Sequence, residues 1–340
     1  QVLDTVSFDG GINNIRTGIL SNVESGGVGQ GGVIKISSQN FILTNGAQLQ
    51  TLVRGSDDNL SGGIGNAGNV EIDTNNTIDI SGSGNGFSSA IFSEVGTGGI
   101  GNAGNIVLSS KSLNVSNAAQ LTTSTFGQGD AGNLIINSNE KALIRGENTR
   151  VQANIGSTAN GEIEGGDLTI NTKKLIVEDG AQVSTSTFGQ GDAGNLIINA
   201  TESVELRGED NKGVFDENGN LFGIFPGGLF AQVDLSGEGK GGNLTIDTPQ
   251  LSISDGSKIQ VATFGQGDAG ELFINTEQID IFNTPRESEF TTGIFGSVEV
   301  DPTQNIPEGN GGDINIFTQR LKVIDGGKIS VTTKGIGNAG

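Results

Sequence analysis

The run Gly129-Asp130-Ala131-Gly132-Asn133-Leu134-Ile135-Ile136 returns unchanged from Gly191 to Ile198. Close variants start at Gly29, Gly65, Gly101, Gly239, Gly267 and Gly309; Glu164 to Ile170 is another, and Gly337 to Gly340 begins one more. Self-similarity on this scale marks a solenoid, in which a unit buries its apolar face only by stacking on the next. The closing Gly of the motif falls at 32, 68, 104, 132, 166, 194, 242, 270, 312 and 340, so the spacings are 36, 36, 28, 34, 28, 48, 28, 42 and 28 residues. Two classes of turn therefore alternate. Class A covers 33–68, 105–132, 167–194, 243–270 and 313–340, and four of these five hold 28 residues. Class B covers 69–104, 133–166, 195–242 and 271–312 and varies in length. Residues 1–32 read as the end of another class B turn. The superrepeats are 33–104, 105–166, 167–242 and 243–312, with 313–340 following.

The apolar residues are Ile, Leu and Val in short alternating runs, such as Asn195-Leu196-Ile197-Ile198-Asn199, and that pattern predicts strands. Each class A turn reads as three strands. In 243–270 they are 243–247, 250–254 and 258–264, separated by polar or Gly-rich corners. The fold expected is all-β, a single continuous parallel β-helix over 1–340, with three strands per turn and about ten turns. At about 4.8 Å per rung it forms a rod roughly 45 Å long.

Class B turns align on their third strand: Ile19 to Val23, Ile91 to Val95, Val151 to Ile155, Leu229 to Val233 and Ile294 to Val298. Alternation across a strand turns positions one, three and five inward. Position two then faces out, yet it holds Leu20, Phe92, Gln152, Phe230 and Phe295. Phe126, Phe188 and Phe264 of the class A turns share that outward parity. These rings either lie under corner loops or form a lateral contact surface. Extra residues of the class B turns fall mostly between strands two and three. The longest insertion, 207–228, contains a small hairpin over 214–222 with Asn218-Gly219 at its turn, and it carries Phe215, Phe222 and Phe225. It packs on the rod or meets a partner.

The chain has 18 cations against 39 acids, a net charge of −21, and no His, Cys, Tyr, Trp or Met. Nucleic acid is a poor partner for such a surface, and no apolar run approaches the length of a membrane span. The missing residues exclude Ser-His-Asp and Cys-His nucleophile systems and zinc sites built on His or Cys. Carboxylate pairs remain open to glycoside chemistry. The acids sit at repeated corners, however: Asp130, Asp192 and Asp268 share one position, and Asp179, Asp255 and Asp325 another. Asx beside Gly is an ordinary turn choice. Calcium is the one cofactor to weigh, with Asp130, Asp192 and Asp268 as candidate ligands and Asp216, Asn218 and Asn220 as a second group. The polar residue after the Gly pair, Asn69, Asn105, Asn133, Asn195 and Asn243 with Asp167 and Asp313, suggests an amide ladder along the axis. The Thr and Ser of 122–124 and 184–186 suggest an ice-binding array.

Gly-Asp-Ala-Gly-Asn-Leu-Ile-Ile, Gly-Asn-Ala-Gly-Asn and the run 179–188, Asp-Gly-Ala-Gln-Val-Ser-Thr-Ser-Thr-Phe, resemble the repeats of cyanobacterial filamentous-haemagglutinin-like exoproteins of the two-partner secretion type. The resemblance spans nearly the whole chain. It implies a right-handed parallel β-helix, export through the outer membrane by a partner transporter, and surface attachment or filament formation. The secretion domain of such proteins is not recognisable here, and the sequence is expected to be a fragment or one subunit of a longer fibre. The function expected is a non-catalytic extracellular or cell-surface adhesive rod that associates with itself, with cell-surface polysaccharide or with other cells. The alternative is a β-helix that binds or cleaves polysaccharide.

Overall fold

The computed structural model describes residues 3–11, 17–84, 86–159, 163–209, 214–215, 221–223, 226–284, 290–300 and 306–340. Every regular element among them is a strand. Two parallel sheets of ten strands run the length of the molecule, each taking one strand from every rung. The fold is a parallel β-helix solenoid, as the repeat predicts.

One sheet is built from long strands, such as Leu134–Arg145, Leu168–Glu178 and Leu244–Ser254. Here the reading of three separate strands per turn needs correction, because the first two are one continuous strand with a bend. In Leu244–Ser254 the burial alternates until Pro249 and Gln250, two successive outward residues, and then resumes. Hydrogen bonding survives the bend because the neighbouring rungs bend at the same place. An inward hydroxyl marks the spot in most rungs. Thr248 donates to the Gln250 carbonyl at 3.2 Å, Ser138 to that of Lys141 at 2.6 Å and Thr276 to that of Gln278 at 3.1 Å. Val70–Ser81, Leu134–Arg145 and Leu196–Arg207 hold 12 residues against 11 in their class A neighbours, and the extra residue is absorbed as a bulge at the bend.

The second sheet is made of short strands, among them Gln182–Thr187, Gly228–Val233 and Lys258–Thr263. Tight corners join it to the long strands. Asn45, Asp179, Asp255 and Asp325 take left-handed φ of 54°, 56°, 57° and 49°, each followed by Gly, which is the turn role expected for Asp179, Asp255 and Asp325. The third side of each rung is reduced to single parallel bridges, such as Ile64 to Ile100 and Gln266 to Glu308, beside the Gly pairs. Between the sheets lies one core of Ile, Leu and Val, including Phe41, Ile72, Leu134, Ile198 and Ile259, all at 1% exposure or less.

The closing glycines form a column in which backbones touch. A Cβ on Gly132 would lie 2.0 Å from the Gly104 carbonyl oxygen, one on Gly242 1.8 Å from that of Gly194 and one on Gly270 2.0 Å from that of Gly242. Only a residue without a side chain fits there. Gly270→Ala is expected to lower stability by about 3 kcal/mol through backbone displacement. Gly29→Ala, whose added Cβ meets nothing within 4 Å, is expected to stay within ~0.5 kcal/mol of the parent. Urea denaturation followed by circular dichroism compares the two.

Candidate functional site

The outer face of the short-strand sheet gathers the outward side chains of successive rungs into columns. In the second column Leu20, Phe92, Gln152, Phe230 and Phe295 of the class B turns alternate with Gln50, Thr122, Ser184, Gln260 and Ser330 of the class A turns. The small class A residues are shielded by large neighbours above and below. Thr122 is 1% exposed and Ser184 9%. Ser124 and Ser186 are buried in the same way between the side chains of the adjoining column, and Thr123 and Thr185 point into the core. The ice-binding expectation is thereby corrected, since such an array needs a hydroxyl plane open to solvent.

The aromatic stripe is uneven. Leu20 is 51% exposed, Phe92 and Phe295 are half-buried, and Phe230 is only 5% exposed. Outward parity holds for all of them, but Phe230 does not offer a contact surface, because it lies in a groove that Pro226 and Leu235 also line. The hairpin expected over 214–222 is present as Val214–Phe215 paired antiparallel with Leu221–Gly223. The side chains of Phe215 and Phe222, and all of Asp216, Asn218, Asn220 and Phe225, lie outside the described residues. A second hairpin pairs Ser83–Gly84 with Phe87–Ser88, and the Asn-Gly pair of the sequence between them is its turn signal.

The groove is a concavity of this face, about 820 Å³ in volume, and spans the strands from Arg150–Gln152 to Lys328–Thr333. Insertions at the two corners of the class B turns raise its walls, with Pro226 and Phe290 on one side and Leu235 and Val300 on the other. Phe188 and Phe264, placed outward by sequence parity, line it too. Lys258 extends along the floor with its ammonium 5.0 Å from the Phe290 ring centroid and 5.3 Å from that of Phe295. Burial lowers its pKa, an effect that the charge of Glu299 partly offsets. Glu299 itself pairs with Lys334 at 2.6 Å. Asp234, the other acid of the groove, is shifted upward by burial although it accepts hydrogen bonds from the Leu235 N–H and from Gln232.

The repeated carboxylates are engaged along the axis instead. Asp130, Asp192 and Asp268 accept the backbone N–H of Glu164, Lys240 and Asn310 in the next rung at 3.0, 2.8 and 2.7 Å. No cluster of three or more acids able to hold a metal occurs among the described residues. The Asn column after the Gly pair works likewise. Side-chain oxygens of Asn69, Asn105, Asn133, Asp167, Asn195 and Asn243 each accept the backbone N–H of the corresponding residue one rung on, at 2.8–3.1 Å. The expected amide-to-amide ladder is instead strongest in the long-strand sheet, where Asn171 donates to Asn137 and Asn199 to Asn171, both at 2.8 Å.

No known protein family, curated protein or solved structure matches this chain.

Away from the groove on the same face, Glu94 stands between Leu52 and Ser124 with no hydrogen bond or ion pair among the described residues, and desolvation pushes its carboxyl up to about 8. Between its ordinary value of 4.5 and about 8 the folded state holds a proton that the unfolded state has lost. Stability therefore falls as pH rises through that window. Glu94→Gln is expected to match the parent near pH 4 and to exceed it by roughly 2–4 kcal/mol above pH 8. Denaturation midpoints across that range measure the difference.

Proposed function

We propose that this protein is a non-catalytic rod that works outside the cell, a rigid segment of a surface fibre or adhesin. The observation that carries the reading is the use of the repeated acids. Carboxylates that could have served chemistry hold one rung to the next, so the repeated sequence is accounted for by rigidity along the axis. The strong negative charge and the stacked core, stable without cross-links, suit a rod exposed to solvent.

Association along the axis is part of this reading, since open β edges favour strand addition and a head-to-tail contact that does not close gives a filament. Sideways contact falls to Leu20 and Phe92, which lie outside the groove.

The second reading, a polysaccharide-cleaving β-helix, draws its support from Asp234, an acid raised by burial inside a groove. Electron microscopy combined with assays for reducing ends and unsaturated uronate separates the two. The rod reading expects rods or filaments and no product, whereas dispersed monomers with measurable cleavage would sink it. Leu20→Ser with Phe92→Ser is expected to weaken side-by-side association in light scattering while leaving the circular dichroism unchanged. Loss of the β signal would show that the two side chains serve the fold.

A further inference from the structure

The chain carries more than twice as many acids as cations, yet the groove on the short-strand sheet reverses that balance. Arg150, Lys258, Lys328 and Lys334 line it against Asp234 and Glu299. One of these acids is already paired with Lys334. Among the described residues, Lys258 is held between two rings with no carboxylate in salt-bridge range, and Lys328 likewise has no ion pair. A half-buried ammonium whose burial is only partly offset by ring contacts and by the more distant charges of Glu299 and Glu209 is desolvated without full compensation. An anion arriving in the groove would supply what it lacks, and the surrounding low dielectric would strengthen the attraction.

The floor between these charges consists of amides and hydroxyls. Gln152, Gln182, Gln232 and Gln260 face outward on four successive rungs, in three columns, and Ser330 two rungs beyond Gln260, with the Phe230 and Phe295 rings among them. Gln182 and Gln232 already donate to the Pro226 carbonyl and to Asp234, but amide and hydroxyl groups offer both donors and acceptors, and polar groups spaced by rungs of about 4.8 Å suit a polyhydroxylated chain lying along the axis. A peptide is recognised on a sheet chiefly by strand addition at an edge. This floor is a sheet face whose backbone groups are already paired between rungs, so it offers a peptide no such edge. From the first to the sixth strand the groove extends about 24 Å.

We propose that this groove binds an acidic polysaccharide, a uronate-bearing chain whose carboxylates meet Lys258 and Lys328 while its hydroxyls meet the amide floor. The site builds on the rod reading only in that it holds the glycan without cleaving it. Titration calorimetry with an oligogalacturonate tests it, with a neutral xylo-oligosaccharide and poly-glutamate as comparisons. The expected result is binding of the oligogalacturonate that weakens with salt and drops about tenfold in Lys258→Gln and several-fold in Lys328→Gln. Lys174→Gln, on the outer face of the other sheet beside Glu202 at 3.4 Å, is expected to bind as the parent does. Lys328 is exposed, so its variant reports even if Lys258→Gln disturbs the fold. Unchanged affinity in the folded lysine variants, or no binding at all, would overturn the proposal. Equal affinity for poly-glutamate would replace the glycan with an acidic peptide. Chain cleavage in the calorimeter cell would overturn the non-catalytic reading and leave the groove standing.

Discussion

Each rung sets a bare glycine against the carbonyl of the rung beneath. At Gly104, Gly132, Gly166 and Gly194 a Cβ would fall 1.8–2.2 Å from the oxygen below, so side chains are excluded along a whole edge of the rod. That close approach fixes the rung-to-rung distance where the third side has only single bridges to hold it. Immediately after the glycine, an Asn or Asp oxygen reaches across to the next backbone N–H. Such a bond to an exposed amide is worth about 1 kcal/mol when neutral and more when the acceptor is charged. Repeated along the axis, these bonds pin rungs in the same register that the buried Ile and Leu columns require.

That constraint divides the turns by role. Four of the five class A turns keep an Asx-Gly corner, with Asn117-Ala118 in the fifth, and four of the five hold 28 residues, so they pass the stacking geometry on with little added surface. Class B turns carry the insertions, and their large second-column residues stand between the smaller ones. The groove has its walls because Pro226 and Phe290, which precede their strands, stand on one side of the short-strand sheet while Leu235 and Val300, which follow theirs, stand on the other. Recognition can thus change with class B loops while the scaffold stays the same.

Much of this was legible in the residues. Two-residue alternation placed Ile91, Ser93 and Val95 inward and Phe92 outward, and the structure agrees. Asp179, Asp255 and Asp325 read as corners because Asx-Gly has few other uses. The continuous long strand was not legible, since the polar residues at its bend resemble a corner until neighbouring rungs are seen bending together. Nor was the burial of Phe230 or the seat of Lys258, because Phe290 lies 32 positions farther on and only the stacking of the next rung brings it within reach. The Asn column was legible, and Asn195 does donate its amide to Asp167 at 3.1 Å, but most of its oxygens meet the backbone N–H of the next rung. A sequence shows which side chains stack and does not show that a backbone N–H lies closer than the neighbouring amide.

The account rests on rungs locked through those backbone amides, and hydrogen exchange measured by NMR at single residues tests it most directly. Asn105, Asn133, Asn243 and Glu271 are all exposed, so side-chain accessibility alone would have their amides exchange within seconds to minutes. The account predicts protection comparable to that of the core strand amides at Leu134 and Leu244. Fast exchange at these four positions, with the core amides still protected, would contradict it.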